Sequence, residues 1–121
     1  MTASLAVAVT GVVLGGTPTV GAASAATCDT PFPVADLVPH QAVTGLTVSA
    51  GTTPDGFTGE VLGVVKNGIA PGLDMVMVRL TSTEIDRVGG IWAGMSGSPV
   101  YADDGRLIGA VAYGLAWGPS P

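Results

Sequence analysis

Gly94-Met95-Ser96-Gly97-Ser98-Pro99, continued by Val100-Tyr101 and then Asp104-Gly105-Arg106-Leu107-Ile108-Gly109, decides how the chain is read. A serine between glycines, with a proline shortly after, opens a run of strand, tight turn and strand. A nucleophilic serine needs this setting. Its hydroxyl must project from a sharp turn, and small neighbours must let the backbone bend and a carbonyl approach. The backbone N–H groups of Gly94 and Ser96 are then the candidate oxyanion-hole donors, with Ser96 the candidate nucleophile. A Gly/Ser/Pro-rich turn between two strands of any β protein has the same composition, so the hexapeptide alone leaves both readings open.

Upstream of the serine, Thr81-Ser82-Thr83-Glu84-Ile85-Asp86-Arg87 reads as a short helix. Thr81 and Glu84 have capping-box spacing, and Gly89-Gly90 ends it. Before it the pattern is β. Thr44 to Val48 is a short strand, Gly51 to Gly56 a turn cluster, and Phe57 to Val65 a buried strand. Asn67-Gly68 and Pro71-Gly72 read as turns, and Asp74 to Leu80 alternates like a strand. After the serine, Ser98 to Ala102 and Leu107 to Tyr113 are strands joined at Asp103-Asp104-Gly105. This triplet lacks the ligand spacing of a calcium loop and reads as a hairpin turn. About six short strands without βαβ alternation predict an all-β fold, a barrel or half of a sandwich.

The chain has 121 residues, enough for one domain, and a formal net charge of −5 from nine acids and four bases. Lys66, Arg79, Arg87 and Arg106 are scattered, so neither a nucleic-acid surface nor a polybasic membrane patch is expected. The first charged residue is Asp29. Ahead of it, Leu5 to Val9 and Val12 to Leu14 are apolar, and Ala23-Ser24-Ala25 has A-x-A spacing. Residues 1–25 therefore read as a signal peptide, although no Lys or Arg precedes the apolar run. A secreted or cell-envelope location follows as an expectation, with membrane contact only through an uncleaved signal segment. Residues 26–33, with Pro31-Phe32-Pro33, read as an extended linker, and 34–121 as the folded domain. Val34 to Pro39 leaves room for one helical turn. Cys28 is the only cysteine, so an internal disulfide or a metal site built on it is excluded. No cofactor motif is present. Met75, Met77 and Met95 read as core fillers; Trp92 and Trp117 are either buried or line a groove.

Gly89-Gly90-Ile91, then Met95-Ser96-Gly97-Ser98-Pro99, then Asp104-Gly105-Arg106-Leu107-Ile108-Gly109-Ala110-Val111 is similar to the hallmark of the SpoIVB peptidase family of bacterial sporulation proteases. Thr44 to Val48, Gly51 to Pro54 and Glu60 to Val64 resemble further segments of exported SpoIVB-domain proteins. The likeness spans about residues 34 to 121. It implies a chymotrypsin-like β-barrel, either one barrel or a partial double barrel, with a short helix before the serine loop. It also implies a serine endopeptidase with Ser96 as nucleophile, acting on a protein substrate in the cell envelope. A pseudopeptidase that binds an envelope protein partner is the alternative.

The base is the open question of this pattern, because a serine hydroxyl is a poor nucleophile until a base takes its proton. His40 is the only histidine, and it precedes Ser96 as in the chymotrypsin-like order. It is the candidate base; a lone histidine after Pro39 in a polar turn is also an ordinary surface residue. The sporulation peptidases carry their histidine after a glycine, and the nearest stretch here, Thr44-Gly45-Leu46-Thr47, has none. Their acid falls where Thr81 stands, with Glu84 and Asp86 nearby but unmatched. The apolar end, Ala110 to Pro121, is expected to pack against further structure, so the domain is expected to be incomplete there.

Overall fold

The computed structural model describes residues 27–115. The signal peptide expected over 1–25 and Trp117 lie outside the described residues. Five strands form one antiparallel sheet in the order β3-β2-β1-β4-β5: β1 (Ala42–Thr47), β2 (Asp55–Ala70), β3 (Leu73–Thr81), β4 (Pro99–Ala102) and β5 (Leu107–Ala110). The sheet curls into a half-barrel, part of the chymotrypsin-like barrel that the resemblance implied.

The curl originates in β2. This strand has 16 residues, too long to stay flat, and its pairing with β3 is interrupted between Val61 and Gly63 and again between Val65 and Ala70. Each irregularity bends the strand and adds twist. Asn67-Gly68, expected as a turn, lies within the second one. Asn67 sits at φ 53 and is held in place by hydrogen bonds with Gly72 and Asp74. Its left-handed backbone mimicked a turn signal in the sequence while the strand continued through it. Pro71-Gly72 is the actual hairpin turn. Among the described residues there are five strands where about six were expected, and the last one, expected from Leu107 to Tyr113, stops at Ala110.

Val43, Phe57, Val61, Ile85, Met95, Val100 and Val111 form the core inside the curl. Strand β1 shows why it is central: Val43, Gly45 and Thr47 all point inward. A side chain at Gly45 has no room, since a Cβ there would lie 2.2 Å from Phe57 Cζ and 2.4 Å from the Pro99 carbonyl. The missing side chain lets the Phe57 ring and the start of β4 close over β1. Met95 is fully buried, as a core filler should be, whereas Met75 and Met77 are only half-buried on edge strand β3.

Helix α1 covers Thr83–Val88 and buries Ile85. Its N-cap is Ser82, whose hydroxyl accepts the Ile85 N–H, in place of the expected Thr81. Thr81 belongs to β3, and its hydroxyl donates instead to Asp86. Gly89 closes the helix at φ 81, as expected. A single 3-10 turn, Val34–Asp36, occupies the expected helical position before β1. Within the expected linker, residues 29–32 are bound to the sheet: Phe32 and Leu107 N–H groups bond to the Leu107 and Thr30 carbonyls, Tyr101 bonds Asp29, and Arg106 lies 4.3 Å over the Phe32 ring. Cys28 is exposed and free.

Candidate active site

The segment Ala93–Met95 forms a 3-10 turn that delivers Ser96 to the surface ahead of β4. Met95 points into the core and anchors the turn, while Ser96 is exposed. Gly97 follows at φ 87, a conformation that side chains rarely adopt, and this reverses the chain. Pro99 then starts β4. The glycines and the proline of the motif therefore produce the sharp, outward-facing serine turn that their order suggested.

The base of this turn is tied down on two sides. The Gly97 N–H donates to the Val111 carbonyl at 2.8 Å, and the Val111 N–H donates to the Ser98 carbonyl at 2.9 Å. On the other side, the buried Ser98 hydroxyl donates to the Thr47 hydroxyl at 2.9 Å. Neither Thr47 nor Ser98 stood out in the sequence as part of the site. The alternation of β1 placed Thr47 inward, but only the β1–β4 register brings it opposite the serine turn.

The tip of the turn is closed. The Ser96 N–H, one of the two candidate oxyanion donors, donates to the Ala93 carbonyl at 3.3 Å. The Gly94 N–H has no carbonyl partner of this kind among the described residues. Beside Gly94 stands the Trp92 indole, 3.1 Å from where a Cβ would be. Trp92 itself is half-buried against the core.

His40 is not at this turn. Strand β1 pairs with β4 through Val43↔Ala102, Thr44↔Tyr101 and Gly45↔Val100, so its Thr47 end lies beside the serine turn and its Ala42 end lies away from it. His40 precedes Ala42, and the strand between the two ends spans about 20 Å at the usual rise of a strand. His40 holds a left-handed backbone, φ 66, with its N–H donated to the Val61 carbonyl at 2.7 Å. Its ring, four-fifths exposed, bonds through Nδ1 to Glu60 Oε2 at 2.8 Å. Arg79 reaches the other oxygen of Glu60 at 2.8 Å. The hydrogen bond from His40, joined by the charges of His40 and Arg79, holds the Glu60 carboxyl below its ordinary value. The two acids near the expected family position are also engaged elsewhere: Glu84 pairs with Arg87, and Asp86 accepts from Thr81.

The open side of the half-barrel forms an apolar groove of about 590 Å³. It runs from Met75, Met77 and Val78 on β3 across to Ile108 and the Val111–Leu115 segment, whose Val111 is hydrogen-bonded to the serine turn. Among the described residues no cluster of His, Cys, Asp and Glu could hold a metal ion. No helix there is long and apolar enough to cross a membrane.

The family model described as SpoIVB peptidase S55 matches residues 11–120 of the chain. No curated protein and no solved structure matches it.

Proposed function

The chain belongs to the SpoIVB peptidase S55 family, and from that premise we propose that Ser96 is the nucleophile of its serine peptidase domain. The observation that carries this reading is the exposure of Ser96 at the tip of a turn whose base is fixed by Met95, Gly97 and Ser98. In the reaction, Ser96 Oγ adds to a peptide carbonyl and its proton passes to a base. The developing oxyanion is met by the N–H groups of Gly94 and Ser96. The Ser96 N–H must first leave the Ala93 carbonyl, so the hole forms on substrate binding. His40, engaged by Glu60 at the far end of β1, is not the proton acceptor on this reading. The expected substrate is a protein of the cell envelope, reached after export.

A second reading has its own support. The placement of His40 and the closed turn together suit a domain that has kept the scaffold and binds a protein partner without cleaving it. A fluorophosphonate probe, with imidazole added as an external base, separates the two. The peptidase reading expects an adduct that peptide mapping places on Ser96 and that imidazole accelerates. A folded chain that forms no Ser96 adduct at any imidazole concentration leaves the binding domain.

A further inference from the structure

We propose that Thr47, on the central strand of the sheet, is a positioning residue for Ser96, acting through the buried hydroxyl of Ser98. The inference rests on the reading of Ser96 as nucleophile, but its evidence is separate. Thr47 and Ser98 are the buried polar side chains among the described residues, and they are bonded to each other at 2.9 Å across 51 residues of chain. On the buried face of β1, Phe57 and Val100 of the core pair with Gly45, two residues from Thr47, while Thr47 itself pairs with Asp55 of β2.

An apolar pair of the same shape would fill this place at little or no cost in stability, because removing both partners leaves nothing unsatisfied. A hydroxyl pair adds direction. Apolar contacts tolerate sliding, whereas a buried hydrogen bond fixes one separation and one orientation. Ser98 is two residues from Ser96 and is followed by Pro99, whose ring fixes the backbone φ. Fixing Ser98 against β1 therefore fixes the base of the serine turn. The two backbone bonds to Val111 hold the opposite side. Between these anchors only the Ala93–Gly94 tip is left to rearrange when the Ser96 N–H is released.

Labelling of the full chain by the fluorophosphonate probe at saturating imidazole tests the assignment. Thr47→Val together with Ser98→Ala removes the hydroxyl pair without stranding a buried polar group. The maximal labelling rate of this double variant is expected to fall about 10-fold or more, as small misplacements of a reacting group do. Its melting temperature and the probe's apparent affinity stay near those of wild type. Thr47→Ser, which restores the hydroxyl, keeps the wild-type rate. An unchanged rate in the double variant, or a Thr47→Ser variant as slow as the double one, overturns the proposal while Ser96 remains the nucleophile. If wild type itself forms no adduct, the nucleophile reading fails, and amide exchange still decides on the positioning. Faster exchange at Gly97 with unchanged protection in β2 and β3 supports the clamp; equal acceleration throughout the sheet overturns it.

Discussion

The backbone N–H of Ser96 donates to the carbonyl of Ala93 at 3.3 Å, so this candidate oxyanion donor is engaged within the turn that presents the serine hydroxyl. Such a bond is long and exposed, and a competing acceptor of full negative charge forms stronger hydrogen bonds. On the peptidase reading the closed turn is a resting arrangement. Phosphonylation of Ser96 places a tetrahedral oxyanion mimic beside it. The Gly94 and Ser96 amides are expected to gain protection from hydrogen exchange in the adduct, while β2 and β3 stay unchanged. Adduct formation without any change at these two amides would remove them from the oxyanion hole.

Gly97 holds φ 87 with open space around it, so only backbone strain opposes a side chain there. Gly97→Ala is expected to cost about 1–2 kcal/mol in denaturant unfolding, the penalty of a left-handed L-residue. Gly109→Ala is the comparison, with open space and no positive φ, and it is expected to be near neutral. Equal stabilities of the two variants contradict the account of the turn.

Gly45 tests packing in place of backbone strain. A Cβ there collides with Phe57 and with the carbonyl of Pro99, and the latter belongs to the backbone that follows the serine turn. Gly45→Ala is expected to destabilise the fold by about 3 kcal/mol, at the upper end of overpacking costs. Thermal melting reads it directly. A variant that melts like wild type shows that β4 is not seated on β1 as described.

Acid is expected to destabilise the domain. Asp55, Glu60, Asp74 and Asp104 are held below their ordinary values by hydrogen bonds from Ser49, His40, Lys66 and Arg106 respectively. A carboxyl depressed in the folded state stabilises fully above its unfolded value and loses that contribution as the pH falls through its folded value. Stability is thus expected to be level near neutrality and to fall below about pH 4, where ordinary carboxylates begin to protonate. Asp55 and Asp104 are exposed and Glu60 and Asp74 half-exposed, so added salt should flatten the decline. Melting curves from pH 7 to 3 at two salt concentrations check this; a melting temperature flat down to pH 3 would count against these pairings.

Much of the fold is legible in the sequence because its signals are local. The strand over Asp74 to Leu80, the Asp103-Asp104-Gly105 hairpin and the Gly89 helix stop each depend on neighbouring residues alone, and the structure keeps them, although Asp74 to Val78 are all half-buried and do not alternate. Asn67-Gly68 misleads because a bulge and a turn use the same left-handed backbone. Thr81 loses the N-cap to Ser82 because β3 claims it first. At the site, the turn around Ser96 is legible, since Gly97 and Pro99 dictate it. The Thr47–Ser98 bond and the distance of His40 are not, because both follow from the register of β1 against β4, which joins segments some fifty residues apart. A lone histidine ahead of the serine has the right order for a base, and only that pairing sends it to the other end of the strand.

On the proposed reading Ser96 is the nucleophile and His40 is not its base. Fluorophosphonate labelling of wild type, Ser96→Ala and His40→Ala, side by side with and without imidazole, tests both halves at once. An imidazole-accelerated adduct is expected in wild type and in His40→Ala at equal rates, and none in Ser96→Ala. An adduct that survives Ser96→Ala, or one that disappears in a folded His40→Ala, would contradict this reading.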